Sequence, residues 1–354
     1  MSATAVPDAS LAIPSPVSAL AFGPGGRSTV LTEVLDDGCL RWYNLPSTKV
    51  VKAIKSLGDE ISSISIHSQH RNEPETAWVA SGRNVFCLPT ESQKMILSKD
   101  DAIAEIFIGE DDDDLLNELT LSDNGKTLAF SSDSGAVGIV DISNKSISRM
   151  KTRHTNVCGS ARFIPDRPSE LVSGGYDSAV LHFDVAQGII LSRFDIASVP
   201  PTPGQSVSLS PPFVLSLSVS PSGLLAASTA DGRVWIGSGG EKRPGAAKKK
   251  RTRKWEGLKT DAGSWLQVAE GPVVATAFVQ ADRLITCTLL GTITEYVVSR
   301  DAEDTLSVAK SRERTCRSLE KVNAMTANGS SVAVGGFGKG GKGFVEVWEI
   351  SPTV

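Results

Sequence analysis

The sequence predicts an all-β protein, a closed seven-bladed β-propeller that uses nearly all of the 354 residues. Three observations predict this fold. Short runs of Val, Ile, Leu, Ser and Thr are separated by turns rich in Gly, Asp and Asn, as in strands and hairpins. A triplet of such runs recurs seven times along the chain. The spacing of the triplets fits the roughly 40–50 residues that one propeller blade needs.

Each triplet reads as strand a, a turn, strand b, a second turn and strand c, and we expect a weaker outer strand d after it. The residues at the aromatic position of strand c lie 43 to 61 residues apart, namely Trp42, Phe86, Val140, Phe183, Trp235, Tyr296 and Trp348. The blades are predicted at residues 15–55, 60–108, 115–150, 155–196, 212–270, 272–312 and 320–350. A β-sandwich or two smaller β domains are the alternatives, but seven triplets in register favour one ring.

The seventh triplet lacks a strand d of its own. The segment from Ser10 to Ile13, within residues 9–14 and just ahead of blade 1, is placed to supply it. Such pairing would join the two ends of the chain and protect an otherwise open sheet edge. We therefore expect an N-terminal strand to complete the last blade.

Composition argues for an intracellular protein, in the nucleus, the cytoplasm or both. The five cysteines are widely spaced and never form C-x-x-C, which indicates neither a disulfide framework nor a zinc site. We do not expect secretion, because the first ten residues have neither a basic region nor a continuous apolar region. No apolar stretch is long enough to span a bilayer. The net charge is −4, and the acidic surplus outside one basic run argues against nucleic acid as the main partner.

The search for catalytic groups favours a protein that is not an enzyme. The four histidines (His67, His70, His154 and His182) are too scattered for a metal cluster, and no nucleophile elbow, P-loop or zinc-protease motif occurs. We expect no cofactor, no metal and no small-molecule substrate. Other proteins are the expected partners, because a rigid ring displays loops on two faces.

Blade 4 contains a distinctive set of polar residues. His154 precedes strand a, Ser173 lies on strand b, Asp177 is in the b–c turn, and Phe183-Asp184 ends strand c. This pattern resembles the WD40 repeat family, in which His, Ser or Thr, Asp and Trp form a hydrogen-bonded chain that ties a loop to its blade. The resemblance implies a structural role for these residues. Phe183 has no N–H to donate, so we expect the last link to be missing.

The stretch from Leu115 to Ile236 resembles one group of WD40 proteins over residues 119–145, 153–177 and 211–236, with residues 167–169 ahead of strand b. That resemblance implies a substrate receptor of a cullin-4 RING ubiquitin ligase, which docks on the ligase's propeller adaptor. The family's docking motif ends in Trp-Asp-x-Arg and maps onto Leu171, Val172, Ser173, Gly174, Gly175, Asp177, Val180, Phe183 and Asp184. Its final arginine falls on Ala186, so the charged contact is absent.

A basic insertion is predicted at residues 241–258, after strand c of blade 5. Its core consists of six basic residues, Lys248, Lys249, Lys250, Arg251, Arg253 and Lys254. Such a run on an exposed loop is typical of nuclear import signals, which makes a nuclear or nucleolar scaffold in an RNA–protein or chromatin assembly the alternative function. Contact with RNA or phosphate and a merely solvated loop stay open. Trp255 either stacks on a base or anchors the loop to the blade, and we favour the anchor.

The run Glu110-Asp111-Asp112-Asp113-Asp114 precedes strand a of blade 3. Consecutive acids repel one another, so we expect the whole run to be exposed. No Asp-x-Asp-x-Asp-Gly calcium loop is present. A solubilising loop is the favoured interpretation, and a surface for a basic partner is the alternative.

Overall fold

The computed structural model describes residues 6–23, 29–34, 38–67, 75–200, 208–239, 255–301 and 305–350. These residues form seven sheets arranged as the blades of a ring, so the predicted seven-bladed propeller is confirmed. Within these ranges the helices are four 3-10 helices, at Lys99–Asp101, Ile196–Ser198, Thr260–Ala262 and Lys339–Gly341. No helix in these described ranges could cross a membrane. The basic run at residues 248–254 lies outside the described residues.

The first half of the ring comprises the N-terminal strand and blades 1 to 3. Its strands are β1 (Ala9–Ile13), β2 (Leu20–Phe22), β3 (Thr29–Val34), β4 (Cys39–Asn44), β5 (Val50–Ile54), β6 (Ile61–His67), β7 (Thr76–Ser81), β8 (Asn84–Pro89), β9 (Ile96–Leu97), β10 (Ala104–Phe107), β11 (Leu116–Leu121), β12 (Thr127–Ser132), β13 (Val137–Asp141) and β14 (Ile147–Arg149). Blade 1 has the order β2-β3-β4-β5-β9, blade 2 β6-β7-β8-β10, and blade 3 β11-β12-β13-β14.

The second half comprises blades 4 to 7. Its strands are β15 (Cys158–Ile164), β16 (Arg167–Gly175), β17 (Ala179–Asp184), β18 (Ile189–Asp195), β19 (Val214–Val219), β20 (Leu225–Thr229), β21 (Arg233–Gly237), β22 (Ser264–Gln267), β23 (Val273–Phe278), β24 (Arg283–Thr288), β25 (Thr292–Arg300), β26 (Leu306–Thr315), β27 (Lys321–Ala327), β28 (Ser331–Phe337) and β29 (Gly343–Glu349). Blades 4 to 6 follow chain order, and blade 7 is β27-β28-β29-β1.

The ring closes where the N-terminal strand joins blade 7. β1 runs antiparallel to β29, with Ala9 opposite Val347 and Ile13 opposite Gly343. The backbone N–H of Asp8 extends the pairing with a 2.8 Å bond to the carbonyl of Val347. The predicted completion of the last blade by the N-terminal strand is therefore confirmed.

The hydrophobic core lies between the blades rather than at the centre of the ring. Seven apolar clusters are present, and each one joins residues of two neighbouring blades. Successive side chains of a strand serve opposite interfaces: Val79 packs towards blade 1, whereas Trp78 packs towards blade 3. All seven residues at the aromatic position of strand c are buried. Each blade is thus apolar on both faces and depends on two neighbours.

The inner strands share a β-bulge near the axis of the ring. Six of them show a register shift after their first residues, for example between Leu116 and Glu118 in β11 and between Cys158 and Ser160 in β15. A bulge of this kind turns one side chain and one N–H away from the regular ladder. In blades 2 to 5 the residue after the bulge is polar, namely Ser63, Glu118, Ser160 and Ser216.

Those four side chains bind the next blade. The backbone N–H of Leu119 donates to Ser63 Oγ at 2.9 Å, that of Ala161 to Glu118 Oε2 at 2.8 Å, that of Leu217 to Ser160 Oγ at 3.2 Å, and that of Thr276 to Ser216 Oγ at 3.2 Å. Each bond crosses from one inner strand to the next, so polar contacts continue around the axis inside the ring of apolar interfaces.

Two features differ from the sequence-based expectation. Residues 167–169 were expected ahead of strand b of blade 4, but β16 begins at Arg167 because Pro165 and Asp166 make a tight turn, with Asp166 at a φ of 59°. Blade 1 also has a fifth strand, β9, which comes from the link between β8 and β10 of blade 2 and runs parallel to β5. Lys52 holds that link by donating to the carbonyl of Ser92 at 2.8 Å.

Candidate functional site

The structure brings together three of the four residues of the predicted blade 4 network. His154 lies between β14 and β15, Ser173 in β16, and Asp177 in the turn after β16. His154 Nδ1 is 2.8 Å from Asp177 Oδ1, and its Nε2 is 2.7 Å from Ser173 Oγ. Asp177 also accepts the N–H of Thr155 at 3.1 Å. Phe183 is fully buried in the apolar interface with blade 3.

The charge of Asp177 determines which nitrogen of His154 carries a proton. Burial favours the neutral form of Asp177, but hydrogen bonds from His154, Thr155 and Ala179 outweigh it and lower the pKa of this carboxyl to about 2. A carboxylate only accepts hydrogen bonds, so His154 Nδ1 carries a proton and Nε2 is left to accept the Ser173 hydroxyl in the neutral imidazole. The network therefore ties the loop before β15 to the turn after β16.

The same three residue types form catalytic triads in other proteins, so their access to solvent matters. Ser173 is completely buried and His154 almost so, at 0 % and 3 % exposed. A substrate carbonyl cannot approach a hydroxyl in that position, whatever its hydrogen bonding. In this structure the network stabilises a loop.

The residues predicted to dock a ligase adaptor do not form one surface. Leu171, Val172 and Phe183 are fully buried between blades. Asp184 is half-buried at the end of β17 and accepts the N–H of Gln187 at 3.0 Å. Asp177 precedes the opposite end of β17. Only Asp184 and the exposed Ala186 are thus available at the end of blade 4 where the motif's arginine would project.

Trp255 is the first described residue after the basic run. It is 1 % exposed, donates through Nε1 to the carbonyl of Gly223 at 2.9 Å, and meets the ring of His182 edge-on at 5.0 Å. His182 in turn is 3.0 Å from a carboxylate oxygen of Glu170. An indole held in this way cannot stack on a base, which overturns the base-stacking interpretation. Trp255 anchors the insertion to blades 4 and 5.

The expectation that residues 110–114 are wholly exposed is wrong for Asp114, which is buried. Its carboxylate accepts the N–H of Ser134 at 2.9 Å and that of Glu110 at 3.3 Å. Burial acts to raise the pKa of Asp114, but these bonds and the hydroxyls of Ser132 and Ser134 lower it. Glu110 forms ion pairs with Arg149 at 3.0 Å and Arg153 at 2.7 Å. Repulsion within the run is relieved because its two ends are bound.

Cys87, Cys158 and Cys287 are buried thiols. No group of three His, Cys, Asp or Glu side chains that could hold a metal occurs in the part of the chain that the structure describes. Burial raises the pKa of Cys158 and of Cys287 to about 12 and that of Cys87 to about 11. Thiols of this kind stay protonated and unreactive at neutral pH.

One face of the ring carries a candidate binding surface around the axial channel, whose volume is about 450 Å³. On this face the first residue of the turn after strand b donates its N–H to the carbonyl just ahead of strand a: Asp133 to Leu115, Tyr176 to Val157, Ala230 to Phe213, and Leu289 to Pro272, all at 2.8–3.0 Å. These bonds fix the turns of four adjacent blades in a common arrangement. This surface could not be predicted from the sequence, because its residues come from loops that are distant in sequence.

The apolar residues of these turns and of the positions just ahead of strand a form what we call the mouth surface. They are Leu115, Val157, Tyr176, Phe213, Pro272, Leu289 and Leu290. Leu290 is 72 % exposed and Leu115 43 %. The other five residues are half-buried. The rings of Tyr176 and Phe213 stack at 5.5 Å with 12° between their planes. An arc of rigid apolar groups that solvent reaches is typical of a protein-binding site.

Acidic groups flank the mouth surface on the same face. Asp59 and Glu60 lie between β5 and β6, Asp111 and Asp113 between β10 and β11, and all four are exposed. Asp133 is partly exposed beside Leu115 and accepts the Asn117 side chain at 2.9 Å. Negative charge next to exposed apolar groups favours a partner segment that combines Lys or Arg with an apolar side chain.

The chain is similar in sequence to a known protein over part of its length. No family model matches this chain. A WD repeat-containing protein 53 homolog from Dictyostelium discoideum is 29 % identical over 136 residues. The aligned segment covers 34 % of this chain and 37 % of the relative's length. Together with the seven-bladed ring, this likeness supports assignment to the WD40 type of β-propeller.

Asp177→Asn tests the charge of the blade 4 network. We expect it to lower the free energy of unfolding at pH 7 by about 1–3 kcal/mol, because an ionised hydrogen-bond acceptor is lost. An unfolded aspartate has a pKa of about 3.9, and Asp177 in the fold has a pKa of about 2. The carboxylate's contribution is therefore complete above the unfolded value and disappears as the pH falls through the folded one.

Urea unfolding across this pH range measures the effect. The difference between wild type and Asp177→Asn should shrink from about pH 4 to pH 2. Asp113→Asn, an exposed change of the same chemistry, should alter stability by no more than about 0.5 kcal/mol. A difference that stays constant with pH would contradict the assigned role.

Proposed function

Because the chain is a seven-bladed β-propeller of the WD40 type, we propose that it is a non-catalytic scaffold that binds other proteins through the mouth surface. The observation that carries this proposal is the arc of exposed and half-buried apolar groups on turns that backbone hydrogen bonds hold in place. Rigid display of apolar and aromatic groups lowers the entropy lost on binding. His154, Ser173 and Asp177 of blade 4 are already hydrogen-bonded to one another.

The chemistry of the mouth surface points to a class of partner. Leu115 lies next to Asp133 and follows the exposed acids of the loop after β10. Tyr176 and Phe213 offer a flat aromatic pair at the adjoining blades. A segment with an aliphatic or aromatic side chain beside lysine or arginine would bury apolar area and meet opposite charge in one contact.

The double substitution Leu115→Glu and Leu290→Glu tests this proposal. Both side chains are exposed, so the fold should persist while two carboxylates oppose burial of the surface. We expect quantitative affinity purification to lose a defined set of the wild-type partners by at least about tenfold, which corresponds to 1.4 kcal/mol.

The matched control is Val6→Glu, an equally drastic change at an exposed site ahead of β1, next to the end of β29 that lies away from the mouth surface. It should retain that same set of partners. An identical partner list for wild type and the double variant would remove the mouth surface from the function.

A finer proposal is that the partners include a cullin-4 RING ubiquitin ligase, with this chain as substrate receptor. The resemblance of residues 115–236 to WD40 proteins of that kind supports it, and Ala186 in place of the motif's arginine weakens it. Ala186 is exposed after β17, so an arginine fits there without disturbing the core.

Ala186→Arg makes the ligase proposal testable. We expect affinity purification of the wild type to recover cullin-4 and its propeller adaptor, and Ala186→Arg to recover more of both, because it restores the charged contact. Gln187→Arg, the exposed neighbour, controls for added positive charge and should not increase recovery. Recovery of neither protein with wild type or with Ala186→Arg would eliminate this function.

The alternative is a nuclear or nucleolar scaffold in an RNA–protein or chromatin assembly. Its support is the run of six basic residues within residues 248–254, which lies outside the described residues. Replacing all six with alanine should shift a fluorescently tagged protein from nucleus to cytoplasm, since import receptors need those cations. Trp255 is left unchanged so that the anchor to the blades persists. Unchanged nuclear accumulation would take away the main support for this alternative.

A further inference from the structure

Exposed apolar side chains are concentrated at one place on the circumference of the ring. Of the ten large hydrophobic residues that are exposed in the described part of the chain, six lie on or beside the outer strands of blades 1 and 2. We call this set the apolar rim: Val50, Val51, Met95, Ile96, Ile103 and Phe107. The last four are 68 %, 58 %, 58 % and 55 % exposed. Exposure of this degree in neighbouring residues is unusual for a surface that stays in water.

The apolar rim includes an edge strand. β9 ends the sheet order of blade 1 and pairs through Ala53 and Ile54 with β5. Its inward side chain, Leu97, is buried, whereas Ile96 points outward. An edge strand that carries apolar side chains is a template for pairing with another strand.

The edges of blades 6 and 7 are protected by comparison. The ten-residue edge strand β26 exposes Lys310, Arg312 and Glu313, and charges of this kind deter edge-to-edge contact. β1, the edge of blade 7, exposes only the small side chains of Ser10 and Ala12. The rim of blades 1 and 2 thus differs from these edges in composition.

Charges of both signs surround the apolar rim, and three pairs of them are neutralised within one chain. Lys94 forms an ion pair with Asp101, Lys99 Nζ lies 2.7 Å from Glu105 Oε1, and Arg83 Nη1 lies 2.8 Å from Asp112 Oδ1. An apolar patch with balanced charges is complementary to itself, whereas an acidic patch repels its own copy. The exposed acids beside the mouth surface would oppose self-contact there.

We propose that the apolar rim is the interface of a homodimer. A two-fold axis perpendicular to β9 places two copies of this strand antiparallel, which joins the five-stranded sheets of two blades edge to edge. Ile96 then lies near the axis and faces its own copy, and Met95 and Ile103 extend the apolar contact on either side. This contact leaves the mouth surface of each ring open. The homodimer therefore adds to the scaffold function and does not depend on it.

The test is the molecular mass of the purified full-length chain, measured by light scattering and by sedimentation across a wide range of concentration. We expect wild type to have twice the mass of one chain at the higher concentrations. Ile96→Glu and Ile96→Lys should each be monomeric, because like charges would meet at the axis. Leu290→Glu, a matched change at the mouth surface, should remain dimeric. Far-UV circular dichroism verifies the fold of every variant.

Mixing the two variants gives the decisive measurement. An equimolar mixture of Ile96→Glu and Ile96→Lys should restore the dimer mass, which damage to the fold could not do. A wild type that is monomeric at every concentration overturns the proposal. A dimer that survives Ile96→Glu, or variants that fail to rescue each other, overturns the pairing through β9. None of these outcomes changes the partner set assigned to the mouth surface, so the two proposals fail separately.

Discussion

Each blade of this protein is a sheet with two apolar faces, and that constraint determines the rest of the architecture. Val79 and Trp78 are adjacent in β7, yet they serve different interfaces, and the pattern recurs in β12 and β17. A sheet of this type is stable only between two others, so a row of blades must close on itself or leave apolar surface at both ends. The pairing of β1 with β29 satisfies this requirement.

The local origin of this pattern explains why the fold could be predicted from sequence. Alternation in strands a, b and c is set by side chains close together in the chain, so Trp42, Trp235 and Trp348 marked the repeat correctly. β9 could not be anticipated, because two residues carry no periodicity and its pairing depends on contacts with β5, some 40 residues earlier in sequence. Asp114 was misjudged for a similar reason: its partner Ser134 lies in another turn.

The candidate sites differ in the same way: a site with a local sequence pattern could be predicted, and a site formed by residues of several blades could not. The blade 4 network was recognisable because its residue types are specific and its spacing is regular, although the loss of its last link at Phe183 was equally evident. The mouth surface was invisible, since Leu115, Tyr176 and Phe213 come together only when three blades are side by side. Polar groups on the inner strands were also overlooked. Glu118 and Ser160 look like ordinary strand residues until the bulges aim them at the next blade.

The junction of β1 with β29 has a consequence for how the protein folds during its synthesis. A ribosome makes residues 9–13 some 330 residues before residues 343–349, which form the strand that pairs with them. Until then blades already synthesised form an incomplete arc, with Tyr43 and Val17 uncovered at its leading side. Closure of the ring is therefore a long-range event, which depends on a contact between segments at the two ends of the propeller.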